Sequence, residues 1–186
     1  MEIGLEHTVL ARDGTAAAGT FHDRVGELFA IHFPRLYRCL DRLSGEPELA
    51  ADVVQEAFVR LYARGSLPDR PEAWLISVAL NLFRNAVAAR SRRDRLLTLA
   101  RAEAVHSDPP PPADHSAGSL ETRAKVRAAL DRIGERERRL LLLRAEGYSY
   151  RDLASALGLN EASVGTLLAR AVHAFRAAWE DRNGAF

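Results

Sequence analysis

Four consecutive prolines, Pro109–Pro112, sit inside "HSDPPPPADHSAGS" (residues 106–119), and no packed helix can run through them. Each proline removes a backbone donor and fixes φ, which favours an extended chain. On both sides of this stretch apolar residues recur at helical spacing, and no segment alternates convincingly as a strand. The chain therefore reads as all-α: two small helical domains joined by a flexible Pro-rich linker over 98–119. The first domain is expected over 21–97 and the second over 120–182, behind a loose leader at 1–20. With 186 residues, 47% of them hydrophobic, such domains have enough apolar side chains for a core.

Three helices are expected in the first domain. Residues 21–43 place Phe21, Val25, Leu28, Phe29, Leu36, Leu40 and Leu43 at helical intervals, with a kink or short break at Pro34. Residues 47–63 open on Pro47, which suits a first helical turn. Leu49, Val53, Phe58 and Leu61, with Ala50, Val54 and Ala57, make its apolar stripe. Glu46, Glu48, Asp52 and Glu56 lie off or beside that stripe, and no basic residue occurs between 46 and 56. Acid near a helix start also suits the helix dipole. Residues 71–90 form the third helix, with Trp74, Leu75, Val78, Leu82 and Ala86 as its buried side. Ser77, Asn81, Arg84, Asn85 and Ala88 share another side, and Arg90, Arg92, Arg93 and Arg95 follow.

The second domain carries a helix capped by Ser119 and closed by Gly134, a helix holding Leu140–Leu143, and then "YSYRDLASALGLNEASVGTLLARAVHAF" (148–175). Ser149 with Asp152 makes a capping-box pattern, Gly158 breaks the chain, and Asn160 can cap the last helix. At about 100° per residue, Val164, Leu168, Ala171, Phe175 and Trp179 fall on one side of that last helix, flanked by Leu167. The other side carries Ala162, Ser163, Thr166, Ala169, Arg170 and His173. Small residues let a helix sit deep in a major groove about 12 Å wide, and hydroxyls and methyls can meet base edges. Arg170 is the strongest candidate for a guanine or phosphate contact. With so few charges the helix would bind DNA modestly by itself and need a partner to deliver it.

Net charge is only +1, so no overall basic field draws the protein to nucleic acid; local asymmetry must. All the basic residues but Lys125 are arginine. Cys39 is the sole cysteine, which excludes an intrachain disulfide and a cysteine zinc cluster. The six histidines show no paired metal spacing; His106 and His115 fall in the linker and are expected to be solvated. No phosphate-cradling glycine loop or nucleophile elbow occurs. No enzyme, metal or cofactor is expected. The longest strongly apolar run, Ala73–Leu80, is too short to span a bilayer, and no signal peptide is evident. A reduced cytoplasmic protein is the default expectation.

"DVVQEAFVRLY" (52–62), "AWLISVALNLFRNAV" (73–87) and "LDRIGERERRLLLLRAEGYSYRDLASALGLNEASVGTLLARA" (130–171) together resemble the extracytoplasmic-function (ECF) sigma factors, the two-lobe members of the sigma-70 family of bacterial RNA polymerase initiation factors. The resemblance covers about residues 21–180. It implies that Asp52, Gln55 and Glu56 dock on the clamp helices of the largest subunit of core RNA polymerase. It implies that Asn81, Arg84 and Asn85, with Arg90, Arg92 and Arg93 on phosphates, recognise and melt the promoter −10 element. The loop at about Gly65–Arg70 resembles the one that captures a flipped base, whose extrusion costs a few kcal/mol; Trp74 could stack on it but fits the core better. Arg151, Asn160, Ser163, Thr166 and Arg170 are implied as −35 contacts. Implied partners are core polymerase, promoter DNA and an anti-sigma factor, with no membrane insertion. An acidic patch on an arginine-rich chain independently asks for a basic partner.

The sequence departs from the family's pattern at Gly165 and Leu167, where lysine and arginine are frequent, at Leu80, and at Ala88 and Ala89. Two other functions use the same helices. A sigma-like decoy that occupies an anti-sigma factor would keep the apolar helices and dispense with DNA binding. A stand-alone helix-turn-helix regulator would bind two-fold half-sites without polymerase.

Overall fold

The computed structural model describes residues 20–100 and 117–183, all helical apart from caps and turns. Seven helices follow one another among the described residues: α1 (Phe21–Ser44), α2 (Pro47–Ala63), α3 (Pro71–Ala100), α4 (Ala117–Asp131), α5 (Glu135–Ala145), α6 (Tyr150–Leu157) and α7 (Glu161–Asn183). The leader, and the linker stretch with His106 and His115, lie outside the described residues.

Local chemistry sets the boundaries. Thr20 and Asp23 form a reciprocal capping box at the start of α1. Of the kink or short break expected at Pro34, the break does not occur: the helix continues through it. It stops at Gly45, whose φ of +69° is left-handed and whose missing Cβ leaves room for the Arg127 guanidinium. Ser44 joins this end to α2: its Oγ donates to Leu40 O (2.9 Å) and accepts from Glu46 N (3.0 Å). Pro47 then opens α2 at the expected residue.

Two boundaries differ from the sequence reading. Helix α3 extends to Ala100, into the stretch read as linker, because nothing between Ala88 and Ala100 breaks a helix. Helix α4 begins at Ala117, so Ser119 is inside it, and it ends at Asp131; Gly134 is the N-cap of α5.

Helices α1, α2 and α3 pack on Leu36, Leu40, Val54, Leu61, Leu75 and Ile76, each essentially without exposure. Helices α4–α7 close on Leu140, Leu143, Leu153, Val164 and Ala171. Burying each such aliphatic side chain contributes about 1.5–3 kcal/mol. Leu80 is part of the first core, which explains an apolar residue at that position. The two groups of helices also touch: α1 packs on α5 and α3 on α6, and buried residues of both belong to one apolar cluster.

Candidate nucleic-acid interface and docking surface

The outer face of α2 is acidic at one end and apolar at the other. Asp52, Gln55 and Glu56 are all exposed, as expected. Glu56 accepts from Arg60 Nε at 2.8 Å, one turn along the helix. The same face continues through Val59 (53% exposed) and Tyr62 (54%), which the sequence reading missed. The signal was the spacing: 52, 55, 59 and 62 fall on one side of a helix. Tyr62 is held by His22, whose Nε2 lies 3.0 Å from its hydroxyl. Phe29, itself 45% exposed, packs on Phe33 and Phe58. Apolar surface rimmed by charge is what a protein partner, rather than DNA, would cover.

On α3 the structure brings Asn81, Arg84 and Asn85 to one exposed side, with Arg84 Nη2 donating to Asn81 Oδ1 at 3.2 Å. Arg90, Arg92 and Arg93 are exposed a turn or more further on. Arg90 is drawn back to the N-cap of α2 by an ion pair with Glu46, so it is less free to follow a phosphate backbone. Arg90 and Glu46, with Leu49, Val87 and Ser91, line an open hollow of about 660 Å³. Trp74 is half-buried and packs against the core while lining a smaller hollow with Asp69, Arg70, Ser77 and Ser155.

Helices α6 and α7 meet across residues 158–160. Ser149 and Asp152 cap each other's backbone at the start of α6. Gly158 ends it with a φ of +64°, and Leu159 N donates back to Ala154 O at 2.8 Å. Asn160 Oδ1 accepts from Ala162 N at 3.0 Å, so this residue is spent at least partly as a cap. A short glycine-bearing turn between two helices, with the second exposing one face, is the helix-turn-helix arrangement. That face carries Ser163, Thr166 and Arg170, all exposed, while Val164, Leu168 and Ala171 are buried. Leu167 is half-buried against the core, a wider apolar seam rather than a missing cation. Gly165 faces the Tyr150 ring. Arg151 is exposed, with Nε 3.7 Å from Glu161 Oε2.

Burial pushes the Cys39 thiol up to about 12, so it is inert packing. Burial likewise lowers His32 and raises Tyr148. No cluster of metal-ligating side chains occurs, and no helix is long and apolar enough to cross a membrane, among the described residues.

Among the described residues the fold and its faces define a two-lobe helical protein with a helix-turn-helix in the second lobe and a separate acid–apolar face in the first. Comparison with known proteins agrees. Residues 28–93 match the family model "Sigma-70 region 2" and residues 123–174 match "Sigma-70, region 4". The ECF RNA polymerase sigma factor EcfG of Rhodopseudomonas palustris is 34% identical over 136 residues, covering 69% of this chain and 68% of that protein. The ECF RNA polymerase sigma factor SigE of Mycolicibacterium smegmatis is 32% identical over 142 residues, covering 74% of this chain and 54% of that protein. The chain thus spans about half the length of one relative and two thirds of the other. Among solved structures, the sigma factor RpoE of Bartonella quintana, crystallised with the anti-sigma factor NepR, shares the fold at a TM-score of 0.61 and 22% identity, over 85% of this chain and 97% of that one. The chain belongs to the sigma-70 family, among the ECF sigma factors.

Proposed function

We propose that this chain binds core RNA polymerase and directs it to a set of promoters, with no catalysis of its own. The observation that carries this reading is the separation of surfaces. One helix offers carboxylates with exposed Val59 and Tyr62, and two other helices offer arginines, amides and hydroxyls. In this reading residues 21–97 are the region that docks on polymerase and melts the −10 element, and 120–182 the region that reads the −35 element. Asp52, Gln55 and Glu56 meet the polymerase clamp helices, with Val59 and Tyr62 extending the contact. Asn81, Arg84 and Asn85 meet the −10 element, with Arg92 and Arg93 on phosphates and Arg90 joining them once released from Glu46. Ser163, Thr166 and Arg170 meet the −35 major groove, with Arg151 on the backbone and Asn160 holding the helix start. The protein works in the cytoplasm, and an anti-sigma factor is a further partner, as for the Bartonella neighbour.

In vitro transcription with the cognate core enzyme over a genomic promoter library tests the reading. Discrete start sites that depend on this chain are expected. Polymerase association without any change in start-site choice would overturn it, and anti-sigma binding without transcription would favour the decoy.

A further inference from the structure

Tyr150, which opens α6, is 44% exposed, yet its ring is fixed on two sides. The Arg144 guanidinium of α5 lies over it, 5.4 Å from the ring centroid. That guanidinium is itself held, with Nη1 donating to Tyr148 O at 3.0 Å. On α7 the ring meets Gly165. A Cβ at 165 would stand 3.6 Å from Tyr150 Cε2, so alanine fits there and a longer side chain has to share space with the ring. Glycine inside a helix costs stability relative to alanine. Residue 165 lies within α7, where no left-handed turn calls for glycine. What its missing side chain provides is the seat of the Tyr150 ring.

Gly165 marks the edge of the outer face of α7. It follows Ala162 by three residues and precedes Ala169 by four, so the three share one side of the helix, and both alanines are exposed. Ser163, Thr166 and Arg170 project from the rest of the outer face. The alanines leave their flank low, and Tyr150 is the tall group standing beside it. A helix seated in a major groove about 12 Å wide brings its flank against a wall of phosphate and sugar. A tyrosine hydroxyl donates one hydrogen bond there without carrying charge. The Tyr150 hydroxyl has no hydrogen-bond partner among the described residues, whereas that of Tyr62 is held by His22. A ring already fixed in place loses little freedom on binding.

We propose that Tyr150 is a further DNA-contacting residue of the helix-turn-helix: its hydroxyl donates to a backbone phosphate on the wall of the −35 major groove, with Gly165 and Arg144 as the positioning residues that hold its ring. The assignment rests on the function proposed above and deepens it. It gives the second lobe a neutral grip. An arginine that neutralises a phosphate releases a counterion, and its contribution weakens as salt rises; a phenol hydroxyl releases none. Part of this lobe's hold on DNA is therefore insensitive to salt.

The full chain, assembled with core polymerase, is bound to a promoter duplex recovered from the genomic library and to a copy truncated just downstream of its −35 element. Tyr150→Phe removes the hydroxyl and keeps the ring. It should weaken binding to the intact promoter about tenfold, the low end for a hydrogen bond to a charged group. The slope of log affinity against log salt should stay the same, and binding to the truncated copy should not change. Gly165→Ala, which the ring accommodates, should bind like the unmodified chain. Gly165→Lys displaces the ring and sets a cation in its place, so the salt slope should steepen by about 0.9. Adding Tyr150→Phe to Gly165→Lys should then cost nothing further, a dependence that a merely structural role for Tyr150 would not produce. Equal binding of Tyr150→Phe and the unmodified chain to the intact promoter overturns the assignment. So does a loss that persists on the truncated copy, one that adds in full to Gly165→Lys, or one accompanied by a flatter salt slope, which would belong to a neighbouring cation. If the assembled chain binds no promoter at all, the function proposed above fails and takes the assignment with it; if it binds and only the Tyr150 variants are silent, the assignment alone fails.

Discussion

Helices α3 and α7 are the two long helices that face DNA in the proposed reading, and they are built differently. The outer side of α3 carries Asn81, Arg84, Asn85, Arg90, Arg92 and Arg93. The outer side of α7 carries Ser163, Thr166 and Arg170 among alanines. The first is suited to gripping phosphates while bases leave the stack, which requires strong, sequence-tolerant attraction. The second is suited to close approach in an intact groove, where one arginine and two hydroxyls can discriminate but not hold. A reader as sparse as α7 works only if something else supplies affinity. In the proposed reading the acid–apolar face of α2 supplies it, because docking on polymerase would convert a weak contact with DNA into an intramolecular one.

The largest effect should therefore come from neither DNA helix. Asp52→Arg with Glu56→Arg should weaken core polymerase binding roughly 100-fold, the scale of reversing close interfacial charges, and leave helix content unchanged because both residues are exposed. Biolayer interferometry with core enzyme reads this directly. Unaltered affinity would mean that the α2 face is simply solvated, and the division of labour between α2 and the DNA helices would fail with it.

Next in size is Arg92→Ala with Arg93→Ala. If α3 grips phosphates, promoter affinity of the polymerase complex should fall for every sequence alike. The slope of log affinity against log salt should flatten by about 0.7–0.9 for each phosphate that is no longer neutralised. Arg170→Ala should behave in the opposite manner. A cost of about 1–3 kcal/mol should appear on promoters with the preferred −35 sequence and vanish on those lacking it. If Arg170→Ala instead flattens the salt slope equally on all promoters, α7 is a second phosphate clamp and the contrast with α3 disappears.

The same contrast shows what was legible in the sequence. Helix α2 could be placed to the residue because Pro47 and a clean apolar stripe marked it, and the α6–α7 turn because Ser149, Gly158 and Asn160 each have one local job. Exposed positions on α3 and α7 followed from helical period alone. The end of α3 did not, since no proline or glycine marks it before Ala100. Val59 and Tyr62 were hidden because apolar residues on a helix are first assigned to its core. The contact between lobes was invisible for a deeper reason. Arg38 and Glu146 look like ordinary surface charges in sequence, and only a fold that brings α1 against α5 buries the acid between two arginines. Pairings across more than a hundred residues leave no periodic trace.

The smallest expected effect tests that contact by pH. His32 lies in it, buried, and burial holds its pKa below the ordinary 6.5; Glu72 on α3 and Asp152 on α6 oppose this shift, while Arg35 on α1 adds to it. In the closed form the ring is kept neutral, whereas in an open form water reaches it and the ordinary value returns. The open form therefore binds a proton first as pH falls. Closure should be fully favoured above about 6.5 and weaken progressively as pH drops below that value toward the lowered one. Energy transfer between dyes at introduced cysteines, Glu27→Cys on α1 and Ala177→Cys on α7, both exposed positions, followed from pH 8 to pH 5, should decline over this range in the chain with His32 intact, and His32→Gln should remove the decline. A profile that is flat in both would show that the ring stays buried when the lobes part. Only the ion pairs of Glu146 with Arg38 and Arg42 would then part, with Tyr148 and His32, whose rings stack 5.6 Å apart, belonging to a part of the interface that does not open.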